Sequence, residues 1–458
     1  MTISSNRVSL RIIKLFNVLL ILLPVMLGWF GFYAAEVHFS GQWAAVLVAV
    51  LYMSLYITYG RIYNSFLVSL TAVSELIYSQ CLAFAMSDGV LYVVLCLMAH
   101  RLVAPGALLL AFAAQLVLSV LWCVLADRWY FKKHHPKQTV VIYDRKKGVE
   151  ELIKAYGLQK EFTVSQVVTA RSCIDGGFLC LEKAEVVFLC GVHSHERNKI
   201  LKWCVENDVV AYVLPRIGDT IMSGARPMHL FHLPFLRVGR YDPAPEYLLA
   251  KRLFDVVVSG IALVVLSPLM LVTAAAIKLQ DGGPVFYRQK RLTQNGREFN
   301  VLKFRSMRQD AEKDGVARLS SGGADDRITP VGRFIRKVRI DELPQLFNIL
   351  GGSMSIVGPR PERPEIAAQY HGELPEFSLR LQAKAGLTGY AQVYGKYNTT
   401  PYDKLQMDLM YIAHPSFLED LKIIFATIKI LFMAESTEGI SKDASTALEK
   451  QEEEKVEV

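Results

Sequence analysis

The sequence predicts a membrane α/β protein with three parts: four N-terminal transmembrane helices, a small Rossmann-like α/β domain, and an α+β domain held in the membrane by a re-entrant helix. Three observations lead there. Of 458 residues, 52% are hydrophobic, and many of them fall in runs of bilayer length. The middle of the chain changes to short β-branched runs. The last part pairs a hairpin pattern with two adjacent carboxylates set among arginines.

The N-terminal region, residues 1–130, contains apolar runs at about 12–33, 43–59, 75–98 and 107–126. They are too many for a signal peptide. Ser87, Asp88 and Gly89 interrupt the third run, and the apolar stretch 65–74 offers a fifth count. Charge favours four. Arg7, Arg11 and Lys14 precede the first run, Arg61 follows the second, and Arg128, Lys132, Lys133 and Lys137 follow the fourth. Both ends of an even number of crossings then lie on the cytoplasmic side. Glu75 belongs near a segment end, because an unpaired acid in lipid costs a few kcal/mol.

Residues 138–240 read as a small parallel α/β domain. The runs TVVIYD, FTVSQVV, AEVVFLCG and VVAYVL alternate with helical stretches such as SHERNKILKWCVEN. RKKGVEEL stands where a dinucleotide site needs GxGxxG, so no nicotinamide cofactor is expected. His193 and His195 flank Ser194 at the end of a predicted strand and, without the Cys or carboxylate partners of a metal site, read as loop residues rather than metal ligands. The seven cysteines, none beyond Cys204, show no CxxC spacing and read as reduced structural thiols.

Lys251 and Arg252 precede an apolar segment, 253–278, long enough to cross the membrane. Ser267-Pro268 breaks it in the middle. Proline removes an N–H and bends the helix, and the serine hydroxyl can take up the freed carbonyl. The segment can therefore turn back, or it can span as a kinked helix.

Residues 336–365, RKVRIDELPQLFNILGGSMSIVGPRPERPE, carry the densest chemistry. Asp341 and Glu342 open the periodic run LPQLFNIL, which predicts a helix with Asp341 at or near its N-cap and Pro344 in the first turn. Free N–H groups at a helix start attract anions, and Arg336, Arg339 and Arg360 add guanidinium forks suited to phosphate. A carboxylate beside a phosphoryl group so held can attack phosphorus. Asp is also among the commonest N-caps, so the pair alone would not carry that reading.

Upstream, GGPVFYRQKRLTQNGREFNVLKFRSM reads as a hairpin turning at Asn295-Gly296. Residues 310–327 read as a mobile polar loop. Residues 417–434 read as an amphipathic helix, lying on the membrane surface or packed on the core. The charged tail, 441–458, reads as disordered. The net charge of +8 accompanies no nucleic-acid module, so membrane lipids and phosphorylated substrates are the expected partners and nucleic acid is not.

RIDELPQLFN, SIVGPRPE and AGLTGYAQVYGKY together resemble the bacterial sugar transferase family of polyprenyl-phosphate phosphoglycosyl transferases, over about 251–432. The resemblance implies a catalytic domain, 248–435, whose Ser267-Pro268 break makes a re-entrant helix with Lys251 and Arg252 at the headgroups as part of its membrane anchor. It implies transfer of a sugar 1-phosphate from a UDP-sugar to undecaprenyl phosphate on the cytoplasmic face of the inner membrane, at the start of exopolysaccharide or capsule synthesis.

KFRSM matches a family motif near the active site, which assigns Lys303 and Arg305 to substrate phosphate, with a solvated basic edge as the alternative. By resemblance Gln392, Tyr394 and Lys396 belong to the donor-sugar pocket, and the N-terminal half supports a homodimer. Asp341 is then the nucleophile, and Glu342 its assistant. Both are candidate ligands of Mg²⁺. Direct transfer without an enzyme intermediate, and a noncatalytic membrane scaffold, are the competing readings. Glucose or galactose is the expected sugar.

Overall fold

The computed structural model describes residues 2–37, 42–144, 149–308, 327–395 and 400–431, in two compact units, Met1–Pro215 and Arg216–Val458. Most of the 310–327 loop, Lys396, and the tail lie outside the described residues.

The first unit opens with helices α1 (Thr2–Gly28, continued by a π-turn Trp29–Tyr33), α2 (Gln42–Ile62), α3 (Val73–Ala99) and α4 (Gly106–Lys133). α1 packs on α2 and α4, and α3 on α2 and α4. Their outward faces are apolar, with Leu27, Trp43, Leu97 and Leu110 exposed. Inside, Gln80 Oε1 accepts from Asn17 Nδ2 and Ser119 Oγ, and Tyr56 OH donates to Asn17 Oδ1. Burying these groups unpaired would cost a few kcal/mol, so the network selects one arrangement of the helices. Ser87, Asp88 and Gly89 do not interrupt α3: the Ser87 hydroxyl donates back to Ala83 O, and Asp88 is turned inward, 5% exposed. Residues 65–72 form turns, not a further helix.

The α/β part carries β1 (Lys137–Tyr143), α5 (Val149–Ala155), β2 (Phe162–Thr169), α6 (Ala170–Asp175), β3 (Val186–Cys190), α7 (Ser194–Glu206) and β4 (Val210–Leu214). The strands are parallel in the order β2-β1-β3-β4. Val140, Ile142, Val187 and Leu189 fill the core beneath α6 and α7. The fold gives His193 an acidic partner distant in sequence: its Nε2 lies 3.3 Å from Asp144 Oδ2 at the carboxyl end of the sheet.

The second unit begins earlier than the expected boundary at 240. Helix α8 (Ile217–Ser223) belongs to it, because Gly224 meets Ala413 so closely that a Cβ would stand 2.9 Å from the alanine's. A two-stranded hairpin follows, β5 (Arg226–Leu230) and β6 (Leu233–Arg237), and then α9 (Pro245–Asp281). The sheet elements β7 (Phe286–Leu292) and β8 (Glu298–Phe304) pair antiparallel across Asn295-Gly296, both at positive φ as the turn chemistry predicts.

The rest comprises α10 (Pro330–Lys337), α11 (Gln345–Leu350), β9 (Ser355–Val357), α12 (Pro364–Glu373), a 3₁₀ stretch Pro375–Gln382, β10 (Gly386–Thr388), α13 (Tyr390–Tyr394), α14 (Pro401–Ala413) and α15 (Phe417–Leu431). Ile349, Met354, Phe377, Leu405 and Ile423 centre their core. α15 enters that core through Ile423, flanked by buried Asp420 and Ala426. Among the described residues five helices, α1 to α4 and α9, are long and apolar enough to cross a membrane.

α9 is helical through Pro268. The missing proline N–H frees the carbonyl of Val264, and the Ser267 hydroxyl donates to that oxygen at 2.7 Å. The resemblance puts Lys251 and Arg252 at the headgroups; in the fold both side chains bind groups of their own domain. Lys251 Nζ pairs with Asp420 Oδ2 at 2.8 Å, and Arg252 donates to Ile349 O and Leu350 O, both at 2.7 Å. A buried carboxylate and the open carbonyl end of α11 repay the desolvation of these cations.

Candidate active site

Asp341 and Glu342 do not cap a helix. They lie in a single 3₁₀ turn, Ile340–Glu342, and α11 starts only after Pro344. The chain enters this turn through Arg339 in the left-handed conformation, φ 55°, a geometry costing a non-glycine residue about 1–3 kcal/mol. Packing holds it there. Ile340 and Leu343 flank the acids and sit against Met270 and Ile277 of α9, Phe304 of β8 and Ile335 of α10.

Basic side chains surround the pair. Lys303 Nζ, from β8, donates to Glu342 Oε1 at 2.9 Å, and Arg360 Nη2 lies 3.5 Å from the same oxygen. Burial pushes the Glu342 carboxyl up, but the charges of Lys303, Arg360 and Arg339 outweigh it and hold the group well below the usual carboxylate range. Asp341 moves the other way, to about 6, because of burial and the neighbouring Glu342 charge, against the opposing fields of Lys303, Arg336 and Arg360. Adjacent carboxyls driven apart in acidity are the pattern of an acid pair with divided roles.

Glycines bring the Pro-Arg-Pro corner to this turn. β9 and β10 run parallel, and Gly358 N donates to Thr388 O while Gly386 N donates to Pro359 O, both at 2.9 Å. A Cβ on Gly386 would stand 2.1 Å from Gly358 N, and one on Gly358 would stand 2.2 Å from Lys384 O. The two distant motifs SIVGPRPE and AGLTGYAQ are thus one crossing of bare backbone. Arg380 Nη2 donates to Arg360 O at 2.8 Å and lies 2.7 Å from Asp408 Oδ2, while Arg291 Nη1 donates to Pro361 O at 3.0 Å.

Of the residues singled out from sequence, Lys303, Arg336, Arg339 and Arg360 gather with the acids. Arg305 leaves the group: 7% exposed, it ion-pairs with Asp281 at the end of α9, which fixes the helix to the hairpin. Gln392 and Tyr394 stand on α13, which packs on α14 and α15; Gln392 Nε2 donates to Leu387 O, and the Tyr394 ring lies 4.8 Å from that of Tyr390. Sequence reasoning passed over Arg291, Arg380, Asp408 and Asp255, whose Oδ1 accepts from Ile356 N at 3.0 Å. No spacing marks them, since their partners lie 20 to 101 residues away in the chain.

Fold and site define a membrane-associated α/β protein with a basic-ringed acid pair. The bacterial sugar transferase model matches residues 246–434. Over 239 residues the chain is 38% identical to a UDP-N-acetylgalactosamine-undecaprenyl-phosphate N-acetylgalactosaminephosphotransferase of Aeromonas hydrophila, covering 52% of this chain and 55% of that protein. It is 42% identical to an undecaprenyl-phosphate glucose phosphotransferase of Komagataeibacter xylinus over 48% of this chain and 42% of the relative. It is 40% identical to a UDP-glucose:undecaprenyl-phosphate glucose-1-phosphate transferase of Caulobacter vibrioides, covering 44% of this chain and 76% of the relative. The chain belongs to the bacterial sugar transferase family. It spans about half the length of the first two of these relatives.

Proposed function

We propose that this protein transfers a hexose 1-phosphate from a UDP-sugar to undecaprenyl phosphate by double displacement at Asp341. The observation that carries the reading is the divided acid pair: Glu342 stays ionised against Lys303, while Asp341 titrates at about 6 among arginines. In the first step an Asp341 carboxylate oxygen bonds to the sugar-linked phosphorus, and the bond from that phosphorus to the bridging oxygen breaks. UMP leaves with that oxygen. In the second, a phosphate oxygen of the lipid bonds to the same phosphorus and Asp341 is released as carboxylate. Arg336 and Arg360 face the charge that grows on the phosphoryl oxygens.

The two carboxylates fit Mg²⁺ as hard oxygen donors, and among the described residues no third Asp, Glu, His or Cys joins them. Substrate phosphate and water would complete the shell. When bound, the ion neutralises charge on the pyrophosphate.

A re-entrant α9 is supported by contacts on both sides of Pro268. Before it, Arg252 and Asp255 bind α11 and β9; after it, Met270, Ile277 and Asp281 bind β8, α10 and Arg305. A helix crossing the bilayer would carry its two ends to opposite faces, beyond the reach of one globular domain. Val264, Val265, Leu271 and Val272 are left exposed for lipid. The catalytic unit then works on the cytoplasmic face of the inner membrane, where UDP-sugars are available, and the product initiates exopolysaccharide or capsule synthesis. Glucose or galactose as the sugar, and a homodimer, complete the proposal.

The test is UMP release from membrane fractions. It should require both UDP-sugar and undecaprenyl phosphate, and Asp341→Ala should abolish it. A phosphosugar adduct on Asp341 should be trapped when the lipid is withheld. Unchanged UMP release by Asp341→Ala would overturn the assignment.

A further inference from the structure

A cavity of about 270 Å³ opens behind the Pro-Arg-Pro corner, between that corner, α12 and the 3₁₀ stretch that follows it. Its walls are apolar: Pro359, Pro364, Ala367, Phe377 and Ala383. Arg360 also lines it, and the same guanidinium lies 3.5 Å from Glu342, so one side chain separates the cavity from the acid pair. Two further charged groups, Arg380 and Glu362, reach the cavity. Arg380 is 3% exposed, and its Nη1 has no hydrogen-bond acceptor among the described residues. Nη2 of the same guanidinium is taken up by Asp408 and Arg360 O, while Nη1 lies 3.6 Å from Glu362 Oε1, too far for a hydrogen bond.

A buried guanidinium N–H left without an acceptor is unfavourable, so the site is incomplete as it stands. What completes it must be flat enough for apolar walls and must carry an acceptor beside a donor at its edge. A nucleobase has this form, with a ring carbonyl oxygen next to a ring N–H. The volume falls just below the ordinary range for ligand pockets, about 300–1,000 Å³, and suits one ring better than two. A polyprenyl chain would fill the walls but leave Arg380 Nη1 unsatisfied.

We propose that this cavity receives the pyrimidine base of the nucleotide donor, with Arg380 Nη1 donating to a ring carbonyl oxygen and Glu362 accepting from the adjacent ring N–H. Arg360 at the mouth then meets the phosphates, and the sugar-linked phosphorus lies toward Asp341. The inference rests on the proposed transfer reaction and adds the subsite that selects the donor.

The test uses the full chain in membranes. Irradiated with 5-azido-UMP, the protein should carry label on residues 359–383. Label on Tyr390 or Tyr394, or none on 359–383, would overturn the proposal. Ala367→Phe fills the cavity from α12. It should weaken inhibition by UMP about ten-fold or more, while inhibition by inorganic pyrophosphate stays within about two-fold. Equal loss of both inhibitors, or a changed KM for undecaprenyl phosphate alone, would count against a base site. The reaction itself is judged separately by Asp341→Ala. If that variant stops releasing UMP and the cavity stays unlabelled, only the base site falls; if it keeps releasing UMP and the cavity is labelled, only the mechanism falls.

Discussion

Lys303 Nζ lies 2.9 Å from Glu342 Oε1, tying the last turn of the hairpin strand β8 to the acid pair 39 residues later. The lysine decides which of two neighbouring carboxyls stays charged. With Glu342 held as an anion, Asp341 bears the repulsion and burial, and becomes the group that titrates near neutrality.

Lys303→Met removes the closest counter-charge and leaves Glu342 to the charges of Arg360 and Arg339. We expect a loss of about 1–3 kcal/mol in stability and a fall in UMP release of at least about ten-fold. Thermal unfolding and the release assay measure the two effects. A variant with wild-type melting and activity would remove Lys303 from the account.

Asp341 must be ionised to attack phosphorus, and its carboxyl titrates at about 6. The rate under saturating donor should be level above about pH 7 and fall about ten-fold per pH unit well below 6. A profile flat down to pH 4.5 would mean that another group is the nucleophile.

The same shift bears on folding. The carboxyl of Asp341 rises from 3.8 to about 6 on folding, so the native state favours its protonated form. The favourable contribution is fully present below about pH 4 and is lost as pH rises through 6. Asp341→Asn mimics the protonated form. It should be more stable than the parent by about 1–3 kcal/mol at pH 7.5, and equal to it below about pH 4. A variant less stable at pH 7.5 contradicts the direction of the shift.

Gly386→Ala drives a Cβ to 2.1 Å from Gly358 N, where both partners are backbone. Relief requires opening the β9–β10 pairing, and we expect a loss of about 3 kcal/mol or more, seen as poor recovery from membranes. Gly372→Ala, with nothing within 4 Å of the new Cβ, is the control and should be neutral or slightly stabilising. Equal behaviour of the two variants would discount the crossing.

Pro268→Ala restores an N–H to the middle of α9 and removes the ring that bends it. Spin labels at Leu249 and Leu279, both exposed, report the span. A straight helix would separate their backbones by about 45 Å, at 1.5 Å per residue. The parent should fall well short of this and the variant should lengthen toward it. A parent already at the straight-helix distance would sink the re-entrant reading.

The parts written as local patterns were legible before any coordinates. The four parallel strands, the Asn295-Gly296 turn and the Ser267 hydroxyl bond to the carbonyl freed by Pro268 each depend on neighbours in the chain, and each is found where the pattern puts it. The acid pair was found, but not its setting. Asp341 looked like an N-cap because a periodic run follows it, yet Pro344 and the left-handed Arg339 place it in a 3₁₀ turn. The KFRSM motif assigns Arg305 to phosphate together with Lys303. Successive residues of a strand face opposite sides at i and i+1, and at i+2 the strand has ended, so Arg305 turns instead to Asp281.

The sequence by itself determined the membrane character of the N-terminal helices, the strand pattern of the α/β part and the residue types of the site, because periodicity, proline and turn residues act through bonded neighbours. Tertiary structure alone decided which cations touch Glu342, which arginines serve the main chain of the corner, and which glycines let two motifs cross. Those pairings form between segments up to about a hundred residues apart, where what matters is the closure of the whole domain and the burial it imposes. No short window of sequence contains that information.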